Sequence, residues 1–251
     1  MKKFTKLVAL VSAVVMVVAC MTGCGSIADK IVFGTNAEFP PFEFVSTNGV
    51  IDTYDGIDIV IAKQIGDDMG KTATISNMEF DSLLVALQNG QIDAAIAGMT
   101  VTDERAESVD FSIPYYNATQ VIIVKEGSDV TCAADLADKF TAVVQGYTGE
   151  TCITELGYKY ESFKKGTECI IELVNGKCDA VVIDSATASK YVADNEGLVI
   201  INDDVAFGSE QYAIAVKKGN TELLNQINST IKRMLNDGTI ANISDQYCVA
   251  E

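Results

Sequence analysis

Two stretches of this chain repeat one helix–turn–strand pattern, and this duplication restricts the possible folds more than any other feature. Residues 83–100 read LLVALQNGQIDAAIAGMT, and residues 169–186 read CIIELVNGKCDAVVIDSA. Each has an apolar helical face, an Asn-Gly pair whose glycine can end the helix, and an Asp-Ala pair that begins an apolar run typical of a buried parallel strand. Coincidence is the alternative, since such units are common. The duplication predicts two related α/β halves that face each other across a cleft.

A candidate anion site follows the first copy. Thr102 can cap the next helix, with acidic residues in its first turn. Arg105 lies close to the free N–H groups at that helix start and to the carboxyl end of the preceding strand. A guanidinium in this position is typical of an anion site. The alternative is an exposed arginine paired with Glu104 or Asp110.

Three further helix starts are predicted from capping residues. Asp58 can cap a helix that ends at Gly70, and Thr148 can cap another that has Glu150 in its first turn. Asp184 ends the strand of the second copy and can cap the helix that follows it. A polar residue at the end of a buried strand can also serve a binding site, so both roles remain open for Asp184.

The N-terminus has the pattern of an export signal. Lys2, Lys3 and Lys6 precede an apolar run at 7–19 that is broken only by Ser12. This run of thirteen residues is too short to cross a bilayer and has the length of a signal-peptide core.

The residues after this core resemble a bacterial lipoprotein processing site, for which Cys20 and Cys24 both fit loosely. Cys24 fits better because Gly23 precedes it and small residues follow it. The resemblance implies a leader at 1–23, a lipid on Cys24 and attachment to the outer face of the cytoplasmic membrane. An ordinary secreted protein, cleaved after a small residue, is the alternative.

Composition excludes several classes of function. Removal of the leader leaves 228 residues, enough for one large or two medium domains, and changes the net charge from −17 to −20. Such a charge, without a basic cluster, disfavours nucleic acid and anionic lipid as partners. The chain has no histidine and no paired cysteine spacing, so we expect no metal and no cofactor. The five cysteines after Cys24 allow one or two disulfides or free thiols.

Four segments carry motifs that are specific in combination. They are GTNAEFPPFEF at 34–44, YDGIDIVIAKQIG at 54–66, FDSLLVALQNGQIDAAIAGMTVTDERAESVDFS at 80–112 and QGYTGET at 145–151. Through them, residues 31–247 resemble the solute-binding proteins of polar amino-acid ABC importers. The resemblance implies an α/β fold of the periplasmic-binding-protein type II class, a two-lobed Venus flytrap with two crossover hinge strands. It places 25–117 and 217–251 in the first lobe and 118–216 in the second.

The resemblance also implies a ligand site, transferred position by position. Arg105 corresponds to the arginine that pairs with the ligand α-carboxylate, a bidentate and directional contact. Asp184 corresponds to the aspartate that pairs with the α-ammonium. Thr100 and Thr148 would donate to the carboxylate, and the backbone at Gly98 would accept from the ammonium. Met99, between Gly98 and Thr100, belongs to the same predicted set of ligand contacts.

Side-chain selectivity remains open. Phe39 and Phe80 correspond to an aromatic pair around the ligand side chain, with core packing as the alternative for each. Asn36 stands where binders of basic amino acids commonly carry an acid, and Glu38 is two residues further on. If Glu38 faces the cleft, arginine or lysine fits; if it faces outward, Asn36 favours glutamine or another neutral polar ligand.

The function implied is capture of a free polar amino acid for ABC permease subunits, by a monomer that contacts the membrane through its lipid only. The motif resemblance implies no enzymatic step. A dehydratase-type enzyme for small carboxylic acids is one alternative on this fold, with Glu38 as a conceivable acid, although the missing histidine disfavours it. A sensory ligand-binding module is the other.

Overall fold

The computed structural model describes residues 30–248, so the predicted leader and the Cys24 lipidation site lie outside the described residues. The strands are β1 (Lys30–Thr35), β2 (Glu38–Phe39), β3 (Glu43–Val45), β4 (Tyr54–Asp55), β5 (Thr72–Asn77), β6 (Ala94–Ala95), β7 (Val109–Phe111), β8 (Tyr116–Lys125), β9 (Thr141–Val144), β10 (Tyr160–Phe163), β11 (Ala180–Asp184), β12 (Leu198–Ile201), β13 (Ser209–Tyr212) and β14 (Ala215–Lys217).

Helices connect most of these strands, as expected for an α/β chain. They are α1 (Ile57–Asp68), α2 (Leu83–Gln88), α3 (Asp103–Ser108), α4 (Thr148–Leu156), α5 (Gly166–Val174), α6 (Ser185–Asp194), α7 (Thr221–Asn236) and α8 (Thr239–Cys248), with 3₁₀ turns at Phe80–Ser82 and Ala133–Asp138.

Two separate sheets form the cores of two lobes. The first has the order β5-β1-β6-β14-β7, in which β5, β1 and β6 are parallel. The second has the order β10-β9-β11-β8-β12, with parallel pairing of β10, β9 and β11. A small antiparallel sheet of β2, β3 and β4 accompanies the first. Below, "first lobe" and "second lobe" mean the parts of the chain built on the first and second sheets.

The predicted duplication is present as matched local geometry. Gly90 and Gly176 both adopt a left-handed conformation, with φ of 71° and 70°. Asp93 accepts a hydrogen bond from Val32 N at 2.8 Å, and its counterpart Asp179 accepts one from Phe140 N at 2.8 Å. Each aspartate therefore ties the turn before its strand to a neighbouring segment. The strands themselves differ, since β6 is confined to two residues although 94–97 is buried throughout.

Two chain segments cross between the lobes. The first half of β8 pairs with β13, and its second half pairs with β11 and β12 of the second sheet. After β13 the chain returns directly to β14, which pairs with β6 and β7 of the first sheet. The return therefore occurs before Ala215, whereas the predicted boundary lies after Val216. We propose to draw the lobe boundary at this crossover ahead of Ala215.

Two of the predicted caps are wrong. Helix α1 has Gly56 as its N-cap residue, and Asp58 is a fully buried residue inside its first turn. Helix α4 has Tyr147 as its N-cap residue, and the Thr148 hydroxyl donates to Glu210 instead of capping the helix. The predicted cap at Thr102 is confirmed, because its hydroxyl accepts from Arg105 N at 3.2 Å.

The cysteines of the described part of the chain are all free thiols: Cys132, Cys152, Cys169, Cys178 and Cys248. Within residues 30–248, no helix combines the length and apolar character needed to cross a bilayer. In the same range, no cluster of histidine, cysteine or carboxylate side chains is arranged to hold a metal ion.

Candidate functional site

A cavity lies between the two lobes at the carboxyl ends of β6 and β11. It is lined by Phe39, Phe80, Ala97, Gly98, Thr100, Arg105, Tyr147, Thr148 and Asp184. Seven of the ten residues predicted from the sequence are among them. Ala97 and Tyr147 were not predicted, although both lie in the segments that carry the resemblance. The fold thus brings strand ends from opposite lobes to one site, as open α/β sheets do.

Arg105 reaches this cavity from the first turn of α3. Its Nη1 donates to Thr100 O at 2.7 Å, and its Nη2 donates to Gly146 O of the second lobe at 2.8 Å. The guanidinium carbon lies 5.1 Å from the centroid of the Phe80 ring, within cation–π range. Burial lowers the pKa of Arg105, and the charge of Asp184 opposes that effect. The alternative of a surface arginine paired with Glu104 or Asp110 is not what the structure shows.

Asp184 lies on the opposite wall, at the end of β11. Its side chain is 3% exposed, and it makes no capping bond to α6 although it is that helix's N-cap residue. Tyr212 donates its hydroxyl proton to Asp184 Oδ1 at 2.5 Å. Burial, followed by the nearby charge of Glu210, raises the pKa of Asp184 to about 7. A cation that entered the cavity would stabilise the charged form of this buried carboxylate.

Thr100 and Thr148 face each other across the lobes and share one acceptor. Both hydroxyls donate to Glu210 Oε2, at 2.6 Å and 2.8 Å. Thr148 Oγ1 also accepts from Gln120 Nε2 at 3.0 Å. A hydroxyl has a single hydrogen, so in this arrangement neither threonine has a hydrogen left to donate to a ligand carboxylate, which is the role predicted for both. Glu210, on β13, belongs to none of the predicted motifs and was missed.

Three aromatic rings form the apolar wall. Tyr147 packs edge-on against Phe39, with ring centroids 5.3 Å apart, and against Phe80 at 4.7 Å. Phe39 is 2% exposed and Phe80 is 8% exposed, so both pack in the core and also line the cavity. The two roles weighed for these residues are therefore not exclusive.

Three predicted residues do not line the cavity. Asn36 is buried and accepts from Tyr147 Oη at 3.0 Å, so it orients that ring. Met99 is fully buried, and its carbonyl accepts from Ala213 N at 3.0 Å. Glu38 pairs with Lys165 of the second lobe at 2.7 Å. Its carboxylate is thus engaged at the edge of the cleft rather than aimed into the cavity.

Ion pairs join the lobes outside the cavity. Glu38–Lys165 is one, and Asp81–Lys164 at 3.0 Å is another. Tyr191 of the second lobe also donates to Glu38 O at 3.1 Å. These contacts require the lobes to be together, so they favour closure, but partly exposed pairs contribute only about 0.2–1 kcal/mol each.

We expect Lys165→Ala to weaken ligand binding by less than about 1 kcal/mol, because it removes one exposed pair that exists only with the lobes together. The loss should shrink as salt is raised, since screening already weakens the native pair. Titration calorimetry at low and high ionic strength measures both effects. Lys63→Ala is the matched control, because Lys63 pairs with Asp67 at 2.5 Å inside α1. An equal loss in the control, or a loss independent of salt, would contradict the expectation.

Comparison with known proteins places this geometry among related chains. The family described as bacterial extracellular solute-binding proteins, family 3, matches residues 31–250. The ABC transporter arginine-binding protein 1 of Escherichia coli (strain K12) is 34% identical over 91% of this chain and 95% of its own. A mutant of ArgBP from T. maritima superposes with a TM-score of 0.82 at 40% identity, covering 87% of this chain and 95% of that one. An ancestral arginine-binding protein bound to glutamine gives 0.81 at 40% identity, covering 88% and 99%.

Proposed function

Because this chain belongs to the bacterial extracellular solute-binding proteins, family 3, we propose that its cavity captures a free polar amino acid for delivery to an ABC importer. The predicted two-lobed type II fold is confirmed by the solved structures that superpose on it. The relatives are binding proteins by name, which supports binding over catalysis.

One observation carries the proposal: a guanidinium and a carboxylate from opposite lobes line the same cavity. Arg105 belongs to the first lobe and Asp184 to the second. A free amino acid has both an α-carboxylate and an α-ammonium, so each lobe can hold one end of it. Since both contacts exist together only when the lobes are closed, the ligand stabilises the closed arrangement through its differential affinity.

The wall charges favour a cationic side chain. Asp184 lines the cavity, and Glu210 accepts hydrogen bonds from two lining residues, Thr100 and Thr148. Arg105 is the one cation among the lining residues. Flat cationic groups also stack well on aromatic rings. We therefore propose arginine first. Glutamine is second, because Glu38 is engaged with Lys165 and an ancestral arginine-binding relative is known bound to glutamine.

The membrane and partner assignments are part of the proposal. The leader at 1–23 and the lipid on Cys24 would keep a monomer on the outer face of the cytoplasmic membrane. Its closed form would then be recognised by ABC permease subunits. Mass spectrometry of protein from intact cells tests the anchor, since an acylated Cys24 N-terminus has a defined mass that an ordinary secreted form lacks.

A thermal-shift screen against the twenty amino acids tests the function directly. A ligand at a hundred times its dissociation constant adds about 2.7 kcal/mol to the free energy of unfolding, which raises the melting temperature by several degrees. We expect arginine or glutamine to give the largest shift. Silence with all twenty would refute the proposal, and chemical turnover of a bound candidate would favour the enzyme alternative instead.

A further inference from the structure

A pair of buried carboxyl groups lies beneath the wall of the cavity. Glu43 on β3 and Asp58 on α1 are both 0% exposed, and neither lines the cavity. Burial of two acids without a cation is costly, so their presence calls for a reason. Core packing does not supply one, because an apolar side chain would fill the same space without that cost.

Asp58 is bonded to the backbone of the cavity wall. Its Oδ2 accepts from Gly98 N at 2.7 Å and from Tyr115 Oη at 2.9 Å. Gly98 has a φ of +52°, and a Cβ there would lie 2.5 Å from the Phe39 ring. Only glycine fits this conformation, and glycine has no side chain to hold it in place. The carboxylate beneath it provides that restraint.

The hydrogen bonds of the two carboxyl groups indicate which of them holds a negative charge. Asp58 Oδ1 and both Glu43 oxygens receive no hydrogen bond from any N–H or hydroxyl donor of the described residues, and the two carboxyl groups face each other. Adjacent carboxyls share a proton because both cannot be charged at short range. Burial raises the pKa of both groups. Asp58 Oδ2 has two donors and the Glu43 oxygens have none among the described residues, so Asp58 is the group that can hold the charge and Glu43 the one that keeps the proton.

We propose that Asp58 is a positioning residue for the ammonium end of the ligand, acting through the Gly98 peptide. In a trans peptide the carbonyl points opposite to the N–H, so the Ala97 carbonyl points away from Asp58. Ala97 and Gly98 both line the cavity. The carboxylate thus orients the Ala97 carbonyl and adds negative charge behind it, while Asp184 supplies the direct contact from the opposite lobe. This inference rests on the proposed function.

The test compares two ligands that differ only in the α-ammonium. L-arginine and 5-guanidinopentanoate share the carboxylate and the guanidinium, and the latter lacks the amino group. In Asp58→Asn we expect affinity for L-arginine to fall about 10- to 100-fold, as for loss of a charged hydrogen-bond acceptor, with affinity for 5-guanidinopentanoate unchanged. Should the screen select glutamine, L-glutamine and 5-amino-5-oxopentanoate form the same pair.

Asp93→Asn is the matched control, since Asp93 accepts an equivalent bond from Val32 N far from the cavity. Tyr115→Phe is the second variant if Asp58→Asn does not fold; it removes the other donor to Asp58 and should give a smaller loss, again confined to L-arginine. Equal losses for both ligands, or none for either, would overturn the proposal. If the native protein binds L-arginine or L-glutamine, the proposed function stands, and either of these results would reject only the role of Asp58.

Discussion

Replacing Arg105 by alanine should weaken binding of the amino-acid ligand by about 3–5 kcal/mol, a loss on the order of a hundredfold or more in affinity. The guanidinium is held by Thr100 O of its own lobe and, with the lobes together, also by Gly146 O. A ligand carboxylate left in this cavity without its cation loses both the charge and the directed donors. Titration calorimetry with the ligand found by thermal shift measures the loss.

Two variants make this result specific. Arg233→Ala removes an exposed arginine that pairs with Asp68 at 2.8 Å, and should leave affinity unchanged. Arg105→Lys keeps the charge but not the fork, so it should bind more weakly than the native protein and more tightly than Arg105→Ala. Native affinity in Arg105→Ala would reject Arg105 as the carboxylate partner and remove the main support for the proposed function.

The sequence predicted the halves and the position of the site because both depend on local patterns. The Asn-Gly turn and the Asp-Ala strand start repeat, and the repeated aspartates make equivalent backbone bonds at Asp93 and Asp179. The end of each repeated strand leads to the cavity. Strand ends of parallel sheets collect at one edge, so knowing the order of the elements is enough to locate the site.

What the sequence could not predict depends on contacts between distant segments. Asp58 has the sequence signature of a cap, yet the crossing of α1 beneath Gly98 makes it a buried acceptor for a residue forty positions away. Glu210 binds the hydroxyls of Thr100 and Thr148, which no local pattern connects to it. The orientation of the Glu38 side chain could not be predicted. Alternation along a strand indicates which side of the strand a residue faces, but not which residue it contacts, here Lys165.

The burial of Asp184 determines how the stability of the protein and its affinity for the ligand change with pH. Because burial raises its pKa to about 7 from an ordinary value of 3.8, the folded protein binds this proton more tightly than the unfolded chain. Stability from this group is therefore fully present at low pH and is lost as pH rises from about 4 to 7. Ligand binding has the opposite preference, since only the charged carboxylate pairs with an ammonium. Affinity should therefore fall as pH is lowered below about 7.

Asp184→Asn should separate these two effects. At pH 8 we expect the ligand-free variant to melt at a higher temperature than the native protein, because it no longer buries a charge, yet to bind the amino acid about 2–5 kcal/mol more weakly. Its affinity should also lose most of the dependence on pH between 5 and 8, with the remainder due to Asp58. Calorimetry across this range, with melting curves at pH 5 and 8, measures all three. Asp194→Asn is the control, since Asp194 pairs with Lys190 on the surface of α6 at 3.1 Å. An Asp184→Asn protein that bound with native affinity at pH 8 would exclude a charged contact between this residue and the ligand.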